Sequence, residues 1–133
     1  MSGAHQSVVA DSLDPQPDQK FVIISSRGEG LLKYANPDPK NTTEVASDPL
    51  VSFSITEATG ELKLVQTAPA GGMNPRGFSL NKAGTLVASA LQDDNRVVII
   101  ERDVKTGMLG KTVATATVGV GAGNGPNYVL FNE

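Results

Sequence analysis

The chain of 133 residues carries 11 basic and 14 acidic side chains, a formal charge of −3, with 39% hydrophobic residues, 19% charged residues and no cysteine. Scattered Lys and Arg exclude the basic footprint a nucleic acid requires. No apolar run nears the ~20 residues of a membrane-spanning helix, and the missing thiols remove disulfides, thiolate nucleophiles and Cys-ligated zinc. Such a composition suits a globular chain in a reducing compartment, and since residues 1–13 (MSGAHQSVVADSL) have neither the basic start nor the apolar stretch of a secretory signal, a cytoplasmic location is expected.

In chain order, short apolar runs with a period of two alternate with turn residues, which reads as antiparallel strands, and no segment carries a helical period. Residues 7–13 form a first strand, with His5, the single histidine, ahead of it. A polar, Pro-rich turn at 14–18 leads to strands at 21–25, 50–55 and 62–68. Between the first two of these, residues 31–47 form an insertion that reads as a loop. Its Asn-Pro-Asp-Pro run at 36–39 blocks helix and central strand, because each proline lacks a donor and restrains its predecessor. Strands follow at 78–80, 86–91, 97–102 and 112–118. They are separated by turns at 81–84 (NKAG), 92–95 (QDDN) and 105–107 (KTG), with Glu101 and Arg102 expected to face outward.

The chain also repeats itself. Residues 50–62 (LVSFSITEATGEL) align without a gap on 97–109 (VVIIERDVKTGML) at an offset of 47, and 75–81 (PRGFSLN) echo 126–132 (PNYVLFN) at an offset of 51. A unit of ~50 residues with four meandering strands is a propeller blade. The fold expected is all-β, a partial β-propeller of about two four-stranded antiparallel blades plus the first strand of a further blade. Residues 1–19 are an irregular or degenerate first strand, 20–72 a blade with the 31–47 insertion, 73–120 a complete blade, and 121–133 a linker and closing strand. Rings typically hold about 4 to 8 blades, so the expectation is a C-terminal fragment of a larger ring. Blades without neighbours expose apolar faces and free edges, through which self-association is expected.

The segments SSRGEG (25–30), SDPLVSFSI (47–55), TGEL (59–62), APAGGMNPRGFSLNKAG (68–84) and VVIIERDVKTGMLG (97–110), in this order, resemble the C-terminal blades of the seven-bladed lactonase family. That family includes 6-phosphogluconolactonase-like proteins and the fungal carboxy-cis,cis-muconate cyclases. The insertion rich in Asn, Pro, Asp and Lys, and SSR where bacterial members more often have SNR, resemble the fungal branch. The resemblance implies a metal-independent, cofactor-free lactonizing enzyme whose intact ring closes a carboxylated diene acid to a lactone. The 6-phosphogluconolactonase-like hydrolase and a non-catalytic propeller remnant or interaction module stand as alternatives.

On the family's catalytic blade a PRH segment precedes an NE pair, with sixteen residues from Arg to Glu. Here Arg76 plus sixteen is Gln92, and Gly77 replaces the histidine, so this blade resembles a copy with an amide where a general acid or base would sit. Arg27 aligns with Gln92 by the repeat (92 − 27 = 65) and so occupies the place of that Glu; a guanidinium there suits a substrate carboxylate. The site residues implied are therefore Arg27, Arg76 and Gln92, with most partners on upstream blades and no activity expected from this chain alone. Asp93 and Asp94 read as turn formers rather than cation ligands. The GVGAGNG run at 119–125 opens no helix and reads as a blade-to-blade linker rather than a phosphate loop.

Overall fold

The computed structural model describes residues 4–11, 19–26, 28, 30, 32–36, 40–121 and 124–133, with backbone alone for 4–11 and 19. Among the described residues ten strands run in chain order: β1 Ala4–Asp11, β2 Gln19–Ser26, β3 Leu32–Tyr34, β4 Val45–Ser47, β5 Pro49–Ile55, β6 Leu62–Pro69, β7 Pro75–Leu80, β8 Leu86–Leu91, β9 Arg96–Arg102 and β10 Leu109–Thr117. They build two four-stranded antiparallel sheets, β1-β2-β5-β6 and β7-β8-β9-β10, and a β3-β4 hairpin. β5-β6, β7-β8 and β9-β10 pair across short turns in which Gly60, Gly84 and Gly107 take left-handed backbone at φ of about 74°, while β2 pairs with β5 across the β3-β4 insertion. The all-β partial propeller expected from the repeat is the architecture observed.

The two sheets pack face to face. On β2, Phe21, Ile23 and Ser25 are buried while their alternate neighbours are partly exposed, the period-two signature of a sheet with one covered face. Ile23, Leu50 and Ala68 of the first blade meet Phe78, Val87, Leu91, Val98, Ile100 and Leu109 of the second in one core. At about 1.5–3 kcal/mol per large side chain, this shared core is what ties one blade to the next. The hydroxyls of Ser25, Ser52 and Ser89 lie in it without a hydrogen-bond partner; their small size lets the sheets approach, at the cost of three desolvated donors. β1 and β2 run against β7, so β1 and β7 are the inner strands and β6 and β10 the outer ones.

Several sequence expectations need correction. The first strand begins at Ala4, so His5 lies within β1 rather than before it. The 31–47 insertion is more than a loop: β3 and β4 pair through Leu32↔Ser47, Lys33↔Ala46 and Tyr34↔Val45. Its proline-rich stretch at 36–39 falls between the two strands in sequence, and residues 37–39 of it lie outside the described residues. Residues 126–131 form no strand. They lie across the far face of β7, where Ser79 Oγ donates to the Val129 carbonyl at 2.7 Å and a Cβ on Gly77 would sit 2.4 Å from the Tyr128 ring. A first strand needs the second strand of its own blade to pair with, and none of the described strands serves 126–131 as one.

Arg102 is the sharpest reversal. It shares the inward face with Val98 and Ile100 and is only 5% exposed. Its guanidinium stacks over Phe21 at 5.3 Å and donates from Nη1 to the Gly84 carbonyl at 2.9 Å, while Nε and Nη2 have no partner. Burial lowers its pKa from the usual arginine value, and Asp103 offsets part of that. The strand period placed the side chain inward, and an aromatic face made the charge tolerable there.

Candidate active site

The loops entering β7 and leaving β8 meet at one end of the second blade. Asn74 precedes Pro75 with φ 61°, a left-handed conformation that asparagine tolerates better than most residues. Its carbonyl accepts from Arg76 N at 2.8 Å and Gln92 N at 3.1 Å, which pins the start of β7 to the end of β8. Its side-chain amide donates to Gln92 Oε1 at 3.2 Å and Asp93 Oδ1 at 3.3 Å. Arg76 Nη1 reaches the same Gln92 oxygen at 3.4 Å, so the sixteen-residue spacing brings these two side chains together. Arg76 and Gln92 are half-buried and Asp93 is exposed. Asn74 Oδ1 is buried without a partner. One guanidinium, two amides and a carboxylate thus converge on a partly water-accessible corner.

This corner hangs on Asp48, a fully buried residue between β4 and β5. Its Oδ2 accepts from Gly28 N at 2.9 Å and Asn74 N at 2.8 Å, and its Oδ1 from Gly30 N at 2.7 Å. One carboxylate therefore ties the loop after β2 to the entry of the next blade. Ser47 supports the crossover itself: its Oγ accepts from Gly71 N and Gly72 N at 3.2 and 3.1 Å and lies 2.8 Å from the Asp48 carbonyl, to which it donates. By the 47-residue offset Asp48 corresponds to Asn95, and their carbonyls accept from Ala70 N and Val118 N in matching fashion. Asn95 Oδ1, however, is buried without a partner.

Of the three site residues named from sequence, Arg76 and Gln92 are in contact and Arg27 lies outside the described residues; its neighbour Gly28 is held by Asp48. Gln92, Asp93 and Asp94 form a single 3-10 turn. Asp94 accepts from Met73 N at 2.7 Å and pairs with Arg96 at 3.2 Å. Among the described residues no group of three or more His, Cys, Asp or Glu side chains is arranged to hold a metal ion. The Gly-rich linker folds on itself, with Asn124 N donating to the Gly121 carbonyl at 3.3 Å and Gly125 N to the Gln92 carbonyl at 3.2 Å. Sequence reasoning passed over Asn74 and assigned Asp48 no place in the site; the Asn-Pro pair at 74–75 and an acid just before a strand were the available signals.

Chemically, the corner offers fixed N–H donors from Arg76 and Asn74 for an anionic oxygen and, in Asp93, a carboxylate with lone pairs open to water. Gln92 carries no transferable proton and orients the two donors instead. No helix among the described residues is long and apolar enough to cross a membrane.

Residues 3–130 match the family described as "Lactonase, 7-bladed beta-propeller". The chain is 36% identical over 95 residues to a 6-phosphogluconolactonase of Formosa agariphila, an alignment covering 71% of this chain and 22% of that protein. Among solved structures, the periplasmic gluconolactonase of Pseudomonas aeruginosa aligns with TM-score 0.62 and 25% identity over 91% of this chain and 28% of its own. A protein from Lactobacillus plantarum aligns with TM-score 0.64 and 24% identity over 89% and 27%. The chain thus spans well under a third of each of these three relatives. With two blades of the expected topology and a family match across almost all of its residues, the chain belongs to the seven-bladed β-propeller lactonase family.

Proposed function

We propose that this chain supplies two blades, and with them the Arg76, Gln92 and Asn74 corner, to the substrate mouth of a ring that hydrolyses a sugar lactone of the 6-phosphogluconolactone class. The observation that carries this reading is the 36% identity to a protein named for that activity. It moves the hydrolase ahead of the muconate cyclase, which was the first expectation from sequence; the two relatives above whose names state an activity are a 6-phosphogluconolactonase and a gluconolactonase. A cytoplasmic location keeps only the cysteine-free composition behind it, set against a neighbour named as periplasmic.

In the proposed reaction, water adds to the lactone carbonyl carbon while Asp93 takes its proton. The Arg76 guanidinium, with Arg27 as a second cation, stabilises the oxyanion or holds an anionic group of the substrate. Collapse of the adduct breaks the ring C–O bond, and the leaving alkoxide recovers the proton from Asp93. Gln92 holds Arg76 and Asn74 in register. Seven blades close the family's ring and the described residues of this chain form two four-stranded blades, so catalysis belongs to the closed ring.

The test is a chimaera in which residues 3–130 replace the matched blades of the Formosa relative, assayed by proton release from 6-phosphogluconolactone and from unphosphorylated gluconolactone. Hydrolysis is expected, with Arg76→Ala lowering kcat/KM by about a hundredfold, as for loss of one oxyanion donor. A folded chimaera that leaves both lactones untouched yet closes carboxymuconate to its lactone would return the cyclase to first place.

A further inference from the structure

We infer that the chain carries a second ligand site at the outer rim of its blades, a cleft that takes a carboxylate bearing an apolar body. The cleft holds about 480 Å³ beneath the β3-β4 hairpin, between the outer strands β6 and β10, with Ala68, Pro69, Ile100 and Leu109 in its lining. That volume falls within the ~300–1,000 Å³ of small-molecule pockets. It is separate from the Asn74, Arg76 and Gln92 corner, which sits on the inner strand β7 and the turn after β8.

The walls are fixed before any ligand arrives. Gln66 of β6 donates from Nε2 to the Leu109 carbonyl at 3.0 Å and accepts from Leu109 N at 2.7 Å, a two-bond clamp from one blade to the next. Above it, the Tyr34 hydroxyl of the hairpin is hydrogen-bonded to the Thr112 hydroxyl of β10. Among the described residues the second blade has no counterpart of the hairpin that roofs the cleft.

Charge selects the ligand. Lys33 lines the cleft from the hairpin and Lys111 from β10; among the described residues no acidic side chain lines it and neither lysine forms an ion pair. Two cations without an ion pair facing one cavity stand out on a chain of net charge −3, with the Glu101 carboxylate packed against the lining residue Gly110 as a partial offset. Ala68, Ile100 and Leu109 are buried and apolar, a poor bed for a hydrated inorganic phosphate and a good one for hydrocarbon. An ammonium pair over an apolar floor therefore fits an amphipathic carboxylate.

Octanoate titrated into the full chain tests this. With no tryptophan present, emission comes from Tyr34 and Tyr128, so Tyr34 reports directly, with calorimetry for stoichiometry. One-to-one saturable binding is expected, weakened roughly tenfold by the double variant Lys33→Gln, Lys111→Gln, both exposed positions whose unchanged circular dichroism verifies the fold. Octanol, lacking the charge, and inorganic phosphate, lacking the apolar body, are each expected to bind at least tenfold more weakly. Absence of saturable octanoate binding, equal affinity in the double variant, or phosphate or octanol binding as tightly as octanoate would overturn the proposal.

Discussion

Replacing Asp48 by asparagine tests how the blade junction is held. The carboxylate is fully buried and receives backbone N–H groups from Gly28, Gly30 and Asn74 at 2.7 to 2.9 Å. Hydrogen bonds to a charged acceptor contribute roughly 1.5–3 kcal/mol each, and a buried donor left unsatisfied costs about 1–3 kcal/mol. Asparagine keeps one oxygen and turns an NH₂ against at least one N–H. If the oxygen stays on the Gly28 and Asn74 side, two bonds weaken to neutral strength and the Gly30 N–H is orphaned, a loss of about 2–4 kcal/mol. Urea unfolding of monomer, verified by sedimentation, measures the total. Amide exchange at Gly28, Gly30 and Asn74 measures whether the loss is local, and these three should accelerate more than the β8 and β9 amides. Asp94→Asn is the control, because that carboxylate is 29% exposed and its ion pair with Arg96 is partly solvated; it should cost less than about 1 kcal/mol. Equal small losses in both variants would refute the idea that Asp48 is the junction's anchor.

Two further substitutions probe groups that the core carries without full compensation. Arg102→Met should leave stability unchanged or raise it by up to about 2 kcal/mol, because it removes two unpartnered nitrogens while keeping a long side chain over Phe21; Arg102→Ala should lower it by about 2–3 kcal/mol through lost packing. Paired thermal melts decide this, and methionine as damaging as alanine would show that the cation itself stabilises the blade interface. Ser89→Ala should stabilise by about 1 kcal/mol, since its buried hydroxyl has no partner, and a measured loss in urea unfolding would reveal a hydrogen bond formed in solution.

Much of the fold was legible because a repeat makes the same statement twice. The strand from Leu86 to Leu91 was readable to the residue, and the offset of 47 matched positions whose backbones do bond alike, Asp48 with Asn95. Leu32, Tyr34 and Val45 were hidden as strand residues because the prolines between them dominated the reading of the insertion. Arg102 was misread because its charge was given more weight than the strand period, and only the tertiary neighbour Phe21 resolves that conflict. Within the candidate site, a family spacing singled out Arg76 and Gln92 together, and their contact is a finding of the structure. Asn74 and Asp48 did not, since short polar residues at turns look alike in sequence, and the donors that distinguish them lie 18 to 26 residues away.

The position of Ser47 and Asp48 bears on how this blade can vary. Together they lock the crossover at Gly71 and Gly72 and the entry of the next blade at Asn74, and they close the hairpin insertion, Ser47 as the last residue of β4 and Asp48 directly after it. Register in β5 is therefore set downstream of whatever lies between β3 and β4. The hairpin tip can gain or lose residues at a cost that grows only logarithmically with loop length, while the substrate corner keeps its geometry. The insertion is thus a place where the outer rim can be remodelled independently of the ring's mouth, and two ligand specificities can drift apart within one pair of blades.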